Sequence, residues 1–174
     1  MATDFTKAPE QIIIDLVNDK NPSLGLTTSL VTFGAPAVYS GTEARNTKLT
    51  LSAASGSGYS GDRDIFYNRV AITDVPGTRS LDYTVGNAVN VSDLIPEINA
   101  RYGINLTAAD YVDAVLPTFT DLQPNETKPF DLVIATGSLV FTGTLSLTLS
   151  RNDIPLTDAI PNNILDGLTY VQPT

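Results

Sequence analysis

Apolar positions along the chain change period several times, and each change marks an element. In PEQIIIDLVN (9–18), Ile12, Ile13, Leu16 and Val17 recur at near-helical spacing behind Pro9 and Glu10. A first turn tolerates proline and favours an acid, so this predicts a short amphipathic helix, stopped by Asn21-Pro22 and Gly25. Residues 28–39, TSLVTFGAPAVY, alternate only loosely around Pro36, which predicts an edge or irregular strand. TKLTLSAA (47–54) sets Leu49, Leu51 and Ala53 against Lys48, Thr50 and Ser52, the period of a half-buried strand. DIFYNRVAIT (64–73) reads as the returning strand, with Phe66, Val70 and Ile72 on one parity.

The middle of the chain reads as a helix pair. VSDLIPEINARYG offers Ser92 or Asp93 as N-cap, Pro96 in the first turn, Leu94, Ile95 and Ile98 as the apolar face, and Gly103 as the stop. In LTAADYVDAVLP, Thr107 with Asp110 three residues on is an acidic variant of the capping box; Tyr111, Val112 and Val115 supply apolar contact and Pro117 ends the segment. The sharpest alternation is LVFTGTLSLTLS (139–150), a strand with Leu139, Phe141, Leu145, Leu147 and Leu149 on one face and Gly143 marking a bulge or close backbone approach. The remainder, about 151–174, is too punctuated by proline for a helix and too apolar for a free tail, so an extended arm is expected. Together these predict one domain over 1–174, of α+β class. It is mainly antiparallel β-sheet, sandwich-like or partly rolled, with an N-terminal helix and a central helix pair.

One motif tests this reading. GSGYSG (56–61) fits G-x-G-x-x-G, the loop that cradles a pyrophosphate in dinucleotide-binding folds. That chemistry requires a helix to start inside the loop, and Asp62-Arg63-Asp64 followed by a strand stands there instead. The stretch is therefore expected to be the flexible turn of a protruding antiparallel hairpin, and Tyr59 at its tip is the aromatic expected to be exposed.

Composition narrows the chemistry. The chain has 174 residues, 17% of them charged, a net charge of -9, and neither cysteine nor histidine. Disulfides, thiolate zinc sites and Ser-His-Asp or Cys–His pairs are thereby excluded, and a phosphate backbone would be repelled. No window approaches the apolar length of a membrane span, and no secretion signal is legible. The N-x-S/T triplets at Asn90, Asn105 and Asn125 are accordingly read as chance matches. Asp62 and Asp64 stand two apart, with Asp74 and Asp82 following, but no D-x-[DN]-x-[DN]-G loop accompanies them, so solvated loop acids are expected rather than an acid pair or an ion site. Lys7, Lys20, Lys48 and Lys128 lack a context that would bury an amine beside a nucleophile.

The order IIIDLVNDKN, LVTFGAP, TEARNTKLTLSAASGSGYSGDRDIFYNRVAI, INLTAADYVDAVLP resembles a module found in uncharacterised virion structural proteins of large tailed bacteriophages, over roughly residues 10–150. The resemblance implies a particle component, made in the host bacterial cytoplasm and located in the virion, and transfers no catalytic residue. The expected protein is non-enzymatic, an accessory capsid-decoration or tail component whose partners are other virion proteins and copies of itself. No cofactor, nucleic acid, membrane or small-molecule substrate is expected. Gly58, Tyr59, Ser60 and Tyr67 are the candidate interface. The alternative is a carbohydrate- or receptor-binding module with aromatics grouped around Tyr59 and Tyr67, and a carbohydrate-active enzyme ranks third.

Overall fold

The computed structural model describes residues 3–75, 88–119, 126–150, 156, 160 and 162, and the backbone at 82–84. Helix α1 (Pro9–Lys20) carries Pro9 at its start and buries Ile12, Ile13 and Ile14. Leu16, placed on the apolar face by the sequence, is 40% exposed instead. After a 3-10 turn at 28–30 come β1 (Val31–Phe33) and β2 (Ala37–Val38), interrupted at Pro36, and both pair antiparallel with β3 (Thr47–Ala53). Strand β4 (Asp62–Tyr67) returns antiparallel along the other side of β3, so the hairpin over GSGYSG forms as expected. Its parity differs from the sequence reading. Ile65 and Tyr67 lie opposite Leu49 and Thr47 and pack on the core, whereas Phe66 turns to the other face against Tyr39, with ring centroids 4.6 Å apart. Asn68 and Arg69 lie outside the strands, so alternation does not carry through from Phe66 to β5 (Val70–Ala71).

β5 leads into a second 3-10 turn (Ile72–Asp74), and β6 (Asp82–Thr84) precedes α2 (Val91–Tyr102). The N-cap of α2 is Asn90, not the expected Ser92 or Asp93, and Pro96 lies inside the helix beyond its first turn; Asp93 sits at N3, where its Oδ2 accepts from Val89 N (2.8 Å) and Asn90 N (3.0 Å). Asp113 accepts from Ser92 N (2.9 Å), so carboxylates face the helix N-terminus, where the dipole favours them.

The second helix of the expected central pair is not formed. Thr107–Asp110 closes one turn, with Asp110 N donating to Thr107 O at 2.9 Å, and the chain then runs extended. Tyr111 bridges Ile134 and Val115 bridges Asn90, while Val112 N donates to Val133 O at 2.9 Å. Pairing on both sides takes the groups a helix would use, and β-branched Val112 and Val115, both exposed, suit an extended strap.

Strand β7 (Thr127–Val133), not anticipated because Pro129 and Asp131 break the pattern, is an edge strand, where proline is tolerated. The expected strand 139–150 divides at Gly143 (φ +90°) into β8 (Phe141–Thr142) and β9 (Thr144–Ser150), in different sheets. Nothing lies within 4 Å of where a Cβ would stand on Gly143, so backbone conformation, not close approach, calls for glycine there. The chain is α+β, with mainly antiparallel sheets and an N-terminal helix. Its parallel pairings are β5 with β8 and β6 with β9. One core cluster gathers Ile12 and Ile13, β3, α2, Phe141 and β9, and Leu49, Leu132 and Leu149 have no exposed surface. Each such leucine contributes about 1.5–3 kcal/mol.

Superimposed on this order is an internal repeat, its two copies roughly 80 residues apart and recognised by the likeness of their letters. ASGSGYSG (54–61) returns as ATGSLVFTG (135–143), and VAITDVP (70–76) returns as IPLTDAIP (154–161). The atoms repeat with the letters. Asn18 clamps Leu26 through Leu26 N→Asn18 Oδ1 (2.9 Å) and Asn18 Nδ2→Leu26 O (2.8 Å), and Asn99 clamps Leu106 in the same way at 2.9 and 3.0 Å. Ala53 N→Gly61 O (3.0 Å) matches Ile134 N→Gly143 O (3.0 Å), and Ser57 N→Ala54 O (3.1 Å) matches Ser138 N→Ala135 O (3.0 Å). Across the hairpins, Thr50 Oγ1→Asp64 Oδ1 (2.7 Å) is mirrored by Ser146 Oγ→Asp131 Oδ1 (2.7 Å), with donor and acceptor exchanged between strands.

Candidate interaction surface at the glycine loop

The loop between β3 and β4 holds Gly56, Gly58 and Gly61 at φ of +75°, +81° and +79°, a backbone that side-chain-bearing residues rarely adopt. Its polar path is exposed at Gly58, Tyr59 and Ser60, and Tyr59 (46% exposed) is the one exposed aromatic among the described side chains. Beside it, Asp62, Arg63, Asp64 and Phe66 line a shallow open depression. Asp64 is already engaged: Lys48 Nζ lies 2.9 Å from Oδ2 and Thr50 donates to Oδ1. The bond from Lys48, then that from Thr50, hold its carboxyl below the usual range. Among the described residues no group of three or more His, Cys, Asp or Glu side chains is placed to hold a metal ion.

Tyr67 does not join Tyr59. The six residues of β4, about 20 Å of strand, separate it from the loop, and its phenol donates to Leu139 O at 2.7 Å. Burial pushes this phenol up to about 12, partly opposed by the nearby Arg69 charge. Arg69 reaches the same place: Nη1 donates to Thr136 O and Ser138 O, each at 3.1 Å, and Nε to Thr47 Oγ1 at 3.2 Å. Val70 N then donates to Val140 O at 2.9 Å, the first link of the β5–β8 pair. Tyr67, Arg69, β5 and β6 thus fasten the first repeat to the loop and to β9 of the second.

Of the other acids, Asp74 sits in a 3-10 turn and Asp82 in β6, not in the loop the sequence suggested. Lys7 pairs with Asp15 at 2.6 Å and Lys128 with Glu126 at 3.1 Å, while Lys20 lies exposed in the last turn of α1. Asn90 caps α2, and Asn125 lies outside the described residues. No helix among the described residues is long and apolar enough to cross a membrane.

The two loops of the repeat differ in environment. Phe141, in the place of Tyr59, is 1% exposed, stacked on Phe5 at 5.7 Å and flanked by buried Leu139 and Val140. The outer side of β9 is covered by β6, whereas among the described residues β4 pairs with β3 alone. Sequence reasoning passed over Tyr67, Arg69, Ile72 and Phe141 as inter-repeat contacts; the likeness of ASGSGYSG to ATGSLVFTG was the legible signal of a repeat, though not of these contacts.

No curated protein and no solved structure matches the chain. The model of a family of unknown function, DUF7941, matches residues 3–174. Nearly the whole sequence being covered, the chain belongs to the DUF7941 family.

Proposed function

We propose that the chain is a non-enzymatic structural component of a tailed-bacteriophage particle, an accessory capsid-decoration or tail protein that assembles with other virion proteins and with copies of itself. The observation that carries this reading is the incomplete hairpin of the first repeat. Its loop exposes Tyr59, and among the described residues no strand lies along the outer edge of β4, an edge suited to pairing with another chain. A surface with few charges supports protein contact over solvation alone. The acids support the non-enzymatic part, since Asp64 is held by Lys48 and Thr50 instead of facing a second carboxylate. A glycan-binding module would need grouped exposed aromatics, and Tyr67 is withdrawn into the inter-repeat contact.

The test is a density map of assembled particles, with mass spectrometry of their purified components and light scattering of the isolated chain. The chain is expected among the particle proteins, and replacing Gly56, Gly58 and Gly61 with Ala is expected to reduce its incorporation. A protein that stays monomeric, never co-purifies with a particle and is retained on glycans would overturn the reading.

A further inference from the structure

Within the chain, the segment that follows the first repeat completes the second. Val70 and Ala71 pair in parallel with Phe141 and Thr142, Ile72 is buried to 1%, and β6 adds to the outer side of β9 with Asp82 opposite Thr148. The second repeat is followed by a segment of the same design. IPLTDAIP stands where VAITDVP does, and ILDGLTYV (164–171) where SLDYTV (80–85) does.

Exposure then singles out both halves of an unmade contact. On the acceptor side Tyr59 is 46% exposed where its counterpart Phe141 is 1%, and β4 lacks the strand that covers β9. On the donor side Leu156 is 73% exposed where its counterpart Ile72 is 1%, and Ile160 is 49% exposed where Val75 packs on the core.

We infer that the chain associates head to tail by strand addition, residues 151–171 of one copy docking on the glycine loop and β4 edge of the next. Ile154 and Pro155 line up in parallel with Tyr59 and Ser60, and Leu156 packs under Tyr59 as Ile72 packs in the core. ILDGLTYV extends the sheet beyond Phe66 and Tyr67. The occupant is a second copy because the one donation seen among the described residues runs forward, from the segment after the first repeat onto the second repeat, while Leu156 and Ile160 after the second repeat stay exposed on their own chain; the first repeat therefore takes its donor from another copy. Such a contact is heterologous, and it gives a ring or a filament according to its rotation. The inference shares with the proposed function only the claim that this surface binds protein; it makes no use of the particle.

The absence of cysteine and tryptophan makes the test clean. Ala71 and Thr142 are Cα partners, so Ala71→Cys with Thr142→Cys is the control that a short bis-maleimide links within one chain. Ser60→Cys with Pro155→Cys is the equivalent pair. The expected result is covalent dimers and larger species from this double variant, and covalent dimers when the single variants S60C and P155C are mixed but from neither alone. A linked monomer from the double variant with no product from the mixture would place the segment on its own chain, and no product at all beside a linked control would leave it on neither; either result overturns the inference. Independently, Tyr59→Trp is expected to shift its emission to the blue as concentration rises, while an unchanged solvent-exposed emission over the same range speaks against the contact. Leu156→Asp is expected to weaken self-association about tenfold or more. Self-association without incorporation into particles would leave the inference standing and remove the virion reading.

Discussion

Asp110 is the acid whose removal tests the packing most sharply. It is 2% exposed and accepts from Thr107 N (2.9 Å), Thr107 Oγ1 (2.7 Å) and Ser138 Oγ (2.6 Å). Ser138, 1% exposed, accepts in turn from Phe141 N at 3.3 Å, so the network ties the strap after α2 to the loop that carries Phe141. In Asp110→Ala the Ser138 hydroxyl stays buried without its acceptor, which costs about 1–3 kcal/mol. Thr107 is exposed, so its donors turn to water and that loss is smaller, about 1 kcal/mol. The expected destabilisation is about 2–4 kcal/mol, a large part of the roughly 5–15 kcal/mol typical of a domain, and lowers Tm by roughly 5–15 °C. Urea unfolding followed by circular dichroism measures it, with an unchanged m-value confirming the same transition. The double variant with Ser138→Ala isolates the pair: once Asp110 is gone, removing the hydroxyl should cost little, giving a coupling of about 1.5–3 kcal/mol. An Asp110→Ala variant within about 0.5 kcal/mol of the parent, or a Ser138→Ala cost that is the same in both backgrounds, would refute the reasoning.

Other expectations follow from single residues. Gly143→Ala forces a side chain onto φ +90° between sheets and is expected to cost about 1–2 kcal/mol in the same unfolding assay, with no relief from repacking because the space around it is open. The Tyr67 phenol ionises at about 12 in the folded state against about 10 when unfolded, so its contribution is fully present below pH 10 and is lost as pH rises towards 12. Absorbance titration at alkaline pH should show one tyrosine ionising late, and Tyr67→Phe should remove that phase. Asp93 is held below its usual range by bonds from Asn90 N and then Val89 N, so it stabilises α2 above the ordinary carboxyl pKa and stops doing so as pH falls through its lowered value. Asp93→Ala should therefore lower Tm at neutral pH, and the difference from the parent should vanish in strong acid.

Local signals were legible where local physics decides. Pro9 and the isoleucines of α1, the apolar face and Gly103 stop of α2 (its cap fell two or three residues earlier than expected, at Asn90), the alternation of β3 and the glycine-driven turn of its hairpin all depend on neighbours within a few residues. The strap at 110–116 shows the limit of such reasoning. Thr107 and Asp110 do meet as the spacing suggested, yet backbone pairing with Val133 and Asn90 outcompetes a helix whose propensity is weak. Likewise β7 was hidden by Pro129, which only an edge position makes harmless.

The candidate surface divides in the same way. Sequence alone determined that GSGYSG is a polar loop between antiparallel strands and that no histidine or cysteine chemistry is available, because backbone freedom and side-chain inventory are properties of the residues themselves. It also contained the repeat, written in ASGSGYSG and ATGSLVFTG, without saying what the two copies do. Only the tertiary structure decided that one loop is buried and bound by Tyr67, Arg69 and β5 while the other is open. Burial and strand pairing depend on what the rest of the chain brings alongside, and similar segments about 80 residues apart meet different neighbours.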